Sequence, residues 1–158
     1  MPTQLNIRNA SAFDAKKITS VINRAFSVVE QFFVDGDRIT EDEVRADLRK
    51  GKFLLLEIAG EIEGCVYVEP NGSRAYLGLL SVAPGLQQKG TGSLLLKVAE
   101  RHCRELGCEF MDIKVVNLRS ELPAFYAKRG YVESGTSPFP PDIETKLPCH
   151  FIDMTKKL

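Results

Sequence analysis

The alternation of apolar and polar positions divides the chain into recognisable elements. From Ala15 onward, Ile18, Val21, Ile22, Ala25 and Phe26 recur at the three- and four-residue spacing of a helix with one buried stripe. Ser11 and Asp14 form the capping box that opens such a helix. The pattern breaks over Ser27 to Ile39, where Phe32 and Phe33 are adjacent and Asp35-Gly36 favours a turn, so a loop or a short helix is expected there. Thr40 and Glu43 make a second capping box, and Gly51 stands where a helix C-terminus calls for a residue tolerant of positive φ. Glu41 to Lys50 therefore reads as a short helix.

Strand patterns follow. Thr3 to Arg8 forms a first candidate, and Phe53 to Ala59, Ile62 to Glu69 and Arg74 to Val82 form three more. The last three are punctuated by Ala59-Gly60-Glu61 and Asn71-Gly72, which makes them antiparallel neighbours in a meander. Leu94, Leu95, Val98, Ala99 and Cys103 mark a long helix that ends at Gly107. Phe110 to Val116 is a strand reached through that helix, so it should run parallel to Arg74 to Val82. Ser120 to Arg129 is a helix closed by Gly130, and Tyr131 to Glu133 with Phe151 to Thr155 make a final pair of strands. The class is α+β or mixed α/β, a central sheet covered by helices, and no repeat or linker divides residues 1–158 into more than one domain.

Composition narrows the function. A chain of 158 residues buries roughly two-thirds of its unfolded surface and can hold a real core. Lys plus Arg equals Asp plus Glu at 21 each, so no global field draws the chain to nucleic acid or to an acidic membrane surface. No apolar run is long enough to cross a bilayer and the N-terminus does not read as a signal peptide, which makes the cytoplasm the expected address. Cys65, Cys103, Cys108 and Cys149 show no CxxC spacing, and His102 and His150 are the only histidines. Reduced, mostly buried thiols and no metal are expected.

The candidate chemistry lies in Val82 to Val98, VAPGLQQKGTGSLLLKV. A triphosphate-binding GxxxxGK[ST] loop is disfavoured because Thr91 occupies the lysine position. A dinucleotide GxGxxG is disfavoured because Leu95 replaces the third glycine. What remains is a strand, then Gly90 and Gly92 without Cβ atoms, then a helix N-terminus with unpaired N–H donors and about half a positive charge. That combination suits a pyrophosphate, and Lys89 adds a full local charge. A plain glycine-rich turn into an amphipathic helix is the competing reading of the loop by itself.

The run Val82-x-Pro84 followed by Gln87-x-x-Gly90-x-Gly92 resembles the coenzyme A pyrophosphate motif of the GNAT superfamily of acyl-CoA-dependent N-acyltransferases. Asn117 ends a strand, and FYAKRGY from Phe125 to Tyr131 is similar to the family's second motif. The resemblance implies a mostly antiparallel mixed sheet in which Arg74 to Val82 and Phe110 to Val116 splay apart to receive the pantetheine arm of acetyl-CoA, the acyl donor. It implies backbone contacts near Leu80 and Val82, one of them to the thioester carbonyl, and a pyrophosphate site from Gln87, Gln88, Lys89, Gly90, Thr91, Gly92 and Ser93. Asn117 would steady the arm or the strand end, and Tyr126 would protonate the departing thiolate as general acid. The acceptor would be a small-molecule or peptide amine attacking directly in a ternary complex, since no cysteine has a nucleophile setting; a second copy of the chain, in a homodimer, is a further candidate partner.

The base is less legible. An alkyl ammonium with pKa about 10.4 is only ~0.04% free amine at pH 7, a handicap of ~4.6 kcal/mol. Some family members carry a glutamate on the strand before the loop, but Tyr76 stands there in this chain, which argues against a glutamate base at that place. Glu30, Asp35, His150 and a water relay remain candidates. Phe32, Phe33 and the loop Gly135 to Pro141 are expected to shape the acceptor pocket. A non-catalytic acyl-CoA-binding or sensing module would keep the loop without needing Tyr126.

Overall fold

The computed structural model describes residues 4–87 and 89–158. Among these, seven strands form one sheet in the order β1-β2-β3-β4-β5-β7-β6. The strands are β1 (Leu5–Asn9), β2 (Lys52–Ile58), β3 (Glu61–Asn71), β4 (Arg74–Val82), β5 (Phe110–Val116), β6 (Val132–Pro138) and β7 (His150–Lys157). The helices are α1 (Ala15–Glu30), α2 (Glu41–Lys50), α3 (Thr91–Glu105) and α4 (Glu121–Ala127). Only β4 and β5 run parallel; every other neighbouring pair is antiparallel. The expected fold class and the β2-β3-β4 meander are therefore observed.

Each face of the sheet buries a separate helix set. Ile18, Val21 and Ile22 of α1 have no exposed surface and pack with Val44 of α2 on Phe53, Leu55, Cys65 and Tyr67. On the other face Leu95, Ala99 and Cys103 of α3 pack on Leu54, Val66, Leu77, Met111 and Ile113. Each fully buried Leu or Ile is worth about 1.5–3 kcal/mol relative to exposure, so the two apolar stripes account for the layering. No helix is long and apolar enough to cross a membrane, among the described residues.

Local signals acted largely as read. Thr40 Oγ1 accepts from the Glu43 N–H at 3.2 Å, and the Glu43 carboxylate returns the contact to the Thr40 N–H at 3.3 Å. Three expectations need correction. Helix α1 does not stop where its apolar stripe breaks at Ser27 but runs on to Glu30, because the positions there turn from the core toward a cleft. Gly51 has φ −145°, not a positive value; glycine is required there because a Cβ would lie 2.4 Å from the Val68 carbonyl and 2.7 Å from the Tyr67 hydroxyl. Gly135 to Pro138 is strand paired to β7, with loop structure beginning only at Phe139.

The first capping box has a second task. Ser11 N–H donates to Asp14 at 2.8 Å, opening a 3-10 turn ahead of α1, while Arg8 grips the same carboxylate at 2.8 and 2.9 Å and also bonds Glu57 of β2. The Arg8 hydrogen bond holds the Asp14 carboxyl down at about 2, against an ordinary 3.8. The folded protein thus binds this proton more weakly than the unfolded chain. The stabilisation is complete above about pH 4 and is lost as pH falls through about 2, amounting to about 1–2 kcal/mol after solvent screening of the 38% exposed Arg8 side chain. Asp14→Asn should lower stability at pH 7 and flatten its fall between pH 4 and 2, as read by urea titrations across that range.

Candidate active site

β4 and β5 begin as partners and then part. Their ladder holds only three pairs, Arg74 with Phe110, Ala75 with Met111 and Tyr76 with Asp112. Arg74 locks this end with a fork onto Asp112 at 2.7 and 2.8 Å, its guanidinium 4.6 Å over the Phe110 ring. Past that point β4 stays with β3, and β5 stays with β7 along its whole length. Asn117 fixes the far end of β5: its N–H donates to the His150 carbonyl at 2.9 Å and its Oδ1 accepts from the His150 N–H at 2.8 Å. A cleft of about 520 Å³ occupies the gap.

The β4 wall is irregular in a useful way. An extra residue around Leu79 breaks the β3-β4 register, and Leu79 has φ +54°, a conformation that costs a non-glycine residue of order 1–3 kcal/mol. Ser81 Oγ donates to the Leu79 carbonyl at 2.9 Å and holds the bulge. Leu80 and Val82 line the cleft, and on the β5 side their backbone has no ladder partner. Gly78 leaves the strand flat enough for the Tyr76 ring to fold over it; a Cβ there would lie 2.5 Å from the Tyr76 hydroxyl. Burial raises the Tyr76 phenol above its ordinary 10.0.

At one end of the cleft stands the N-terminus of α3. Gly90 is its N-cap with φ +81°, a left-handed conformation natural to glycine, and Gly90, Gly92 and Ser93 line the cleft. A Cβ at Gly90 would meet nothing within 4 Å and one at Gly92 only the Val82 side chain at 3.9 Å, so the space beside both glycines is open. Gln87 lines the cleft too, its Nε2 donating to the Val82 carbonyl at 3.1 Å and tying the loop to β4. Lys89 is exposed and, with Thr91, lies outside the cleft lining; Gln88 lies outside the described residues. Arg129 was not singled out from the sequence, although it sits within FYAKRGY. Its guanidinium donates to Ser93 Oγ at 2.5 and 2.9 Å and to the Phe125 carbonyl at 2.7 Å, stacked 3.7 Å over the Phe125 ring. The donor set of helix N–H groups, glycines and a fixed guanidinium fits a diphosphate.

Tyr126 of α4 faces the middle of the cleft. It is 7% exposed, with the Phe125 and Tyr131 rings edge-on at 5.0 and 5.5 Å. Burial pushes its phenol up to about 12, opposed by the positive charges of Arg119 and Arg129, and no hydrogen bond within the described residues engages the hydroxyl. At neutral pH it is a protonated, uncommitted donor.

The opposite end lies on the α1 side of the sheet, bordered by Phe26, Glu30, Arg38, Tyr76, Arg119 and Phe139. Glu30 is 6% exposed, 3.5 Å from Arg119, and burial raises its carboxyl above 4.5 despite Arg38 and Arg119 nearby. Of the three side-chain bases considered from sequence, only Glu30 lines this cleft: Asp35 is paired with Lys146 at 3.1 Å and His150 is exposed on β7. Phe33 is wholly buried with Val34 and Val116, and Phe32 is half exposed; neither lines the cleft, where Phe26 and Phe139 stand instead. Burial lifts the thiols of Cys65 and Cys103 to about 12, far from a reactive thiolate.

A mixed sheet parted between two parallel strands, with a glycine-bordered helix N-terminus at the mouth of the gap, defines a class of acyl-CoA-dependent transferases. Residues 20–131 match the model of the acetyltransferase (GNAT) family, and the chain belongs to that family. It is 28% identical over 117 residues to an amino-acid acetyltransferase of Ralstonia nicotianae, a match that takes in 73% of the chain but spans only 25% of that protein. The ribosomal-protein-S18-alanine N-acetyltransferase of Escherichia coli has the same fold, with TM-score 0.77, 16% identity, 98% of this chain and 94% of the other covered. So does the PaiA N-acetyltransferase of Thermoplasma acidophilum, solved in complex with coenzyme A, with TM-score 0.73, 17% identity and coverage of 98% and 99%.

Proposed function

We propose that the chain transfers an acetyl group from acetyl-CoA to an amine, small-molecule or peptide, by direct attack while both are bound. The observation that carries this reading is the continuous cleft from Gly90 and Gly92, past Tyr126, to Glu30. The N–H groups of the α3 N-terminus, with Arg129 alongside, would hold the diphosphate, and the unladdered backbone at Leu80 and Val82 would pair with the pantetheine arm and polarise the thioester carbonyl. One such oxyanion contact is worth about 3 kcal/mol. Glu30 takes the proton of the acceptor ammonium, and Tyr126 gives its proton to the sulfur as the C–S bond breaks. Asn117 acts indirectly, by fixing the end of β5 to β7.

The two buried, high-pKa thiols support transfer without an acyl-cysteine stage. Free cysteines also support a reducing, cytoplasmic setting. A homodimer would draw on the exposed apolar side chains Phe13, Val28 and Phe32. Titration calorimetry with acetyl-CoA, CoA, NADH and ATP tests the donor site. Micromolar or tighter binding of acetyl-CoA and CoA alone is expected; equal binding of NADH or ATP would overturn the assignment, and binding with no turnover over a broad amine panel would make the chain a coenzyme sensor.

A further inference from the structure

One guanidinium at the acceptor end of the cleft makes no direct ion pair among the described residues. Six ionic side chains line the cleft: Glu30, Arg38, Lys114, Arg119, Glu121 and Arg129. Both carboxylates are engaged by Arg119, whose Nε lies 2.8 Å from Glu121 and whose Nη1 lies 3.5 Å from Glu30. Arg38 makes no ion pair among the described residues; its guanidinium sits 5.7 Å from the centre of the Phe26 ring. Asp37, its neighbour in sequence, is exposed, and Asp35 is held by Lys146.

Arg38 is nonetheless built into position. Asn23 of α1 accepts from the Arg38 N–H at 2.9 Å and from the Ile39 N–H at 3.0 Å, and donates to the Ile39 carbonyl at 2.9 Å. Ile39 itself is 5% exposed in the core beneath α1 and α2. The backbone carrying Arg38 is thus pinned, and its side chain borders both the main cleft and an adjoining cavity of about 380 Å³ behind Glu30. A planar guanidinium fixed at its root, near enough to Glu30 to act on its charge yet in direct ion pair with no described residue, matches a carboxylate in shape and charge.

Resting on the acetyl-transfer reading above, we propose that Arg38 binds a carboxylate of the acceptor, which makes the acceptor a small free amino-carboxylate. The ammonium then lies toward Glu30 and the thioester, and the carboxylate toward Arg38. A peptide N-terminus, whose neighbouring carboxyl is tied up in an amide, offers Arg38 no anion at that distance.

The test measures CoA release from saturating acetyl-CoA with a panel of α- and ω-amino acids, each beside its own carboxamide, for the native chain and Arg38→Gln. At least one acid should be acetylated with kcat/KM ~30-fold or more above its amide, mostly through KM. In Arg38→Gln that acid should fall to the level of its amide, with acetyl-CoA affinity by calorimetry within about twofold of native and the melting temperature little changed. Amides used as well as acids, a preference surviving in Arg38→Gln, or acetyl-CoA binding with no acid turned over would each overturn the assignment of Arg38. Failure of the native chain to bind acetyl-CoA would instead overturn the acetyl-transfer reading beneath it.

Discussion

Tyr126→Phe is expected to slow acetyl transfer by ~10²–10³-fold while leaving acetyl-CoA affinity unchanged. The ring is held by Phe125 and Tyr131 and is 7% exposed, so phenylalanine can occupy the same space and the packing survives. What disappears is one hydroxyl that no described residue engages, protonated because burial lifts it to about 12. Without it the sulfur, on the proposed mechanism, would have to leave as a bare thiolate. The rate should be measured in a single turnover, where chemistry limits. A rate within twofold of native would return Tyr126 to the core, and equal losses in rate and coenzyme affinity would make it a binding residue.

Gly92→Ala should move stability and binding in opposite directions. Gly92 lies in the first turn of α3 without positive φ, and a Cβ there would touch only the Val82 side chain at an ordinary 3.9 Å. Alanine in place of glycine in a helix favours folding by up to about 1 kcal/mol, so the melting temperature should hold or rise. The same methyl group projects into the cleft where the diphosphate is proposed to meet the backbone, and acetyl-CoA affinity should fall ~10-fold or more. Calorimetry beside thermal melts reads both quantities. Unchanged affinity in the more stable protein would remove the diphosphate from this helix end. Gly90 is the poorer probe, because its φ of +81° strains any replacement and mixes the two effects.

The sequence was most informative where one local signal had one physical cause. Thr40 with Glu43, the turns at Gly60 and Gly72, and the crossover through α3 are of that kind, and they yield the meander and the parallel pair. Glu30 was harder to read because the apolar stripe of α1 falls out of register at Ser27, Val28 and Val29 before the helix ends, and the break looks like a terminus. The bulge at Leu79 is marked in the sequence only by Gly78 beside it, an isolated glycine within a strand pattern. Arg129 meets Ser93 across 36 positions, a contact that only the tertiary fold creates. Gly51 shows the limit of residue-type rules, for glycine was chosen by a neighbour's carbonyl rather than by its own dihedral angle.

Strand β7 lies between β5 and β6 although it follows both in the chain. The β1-to-β4 half, with α1 and α2, consists largely of hairpins and neighbouring segments that can meet early. β5 must instead wait for His150–Lys157 before its second edge is covered, and the Asn117–His150 clasp forms only then. Closing such long loops is slow, so the cleft is the late-forming part of the molecule, and a nascent chain carries an open β5 edge until its last strand arrives. That interval, rather than the finished fold, is when this protein is most exposed to mispairing with its neighbours.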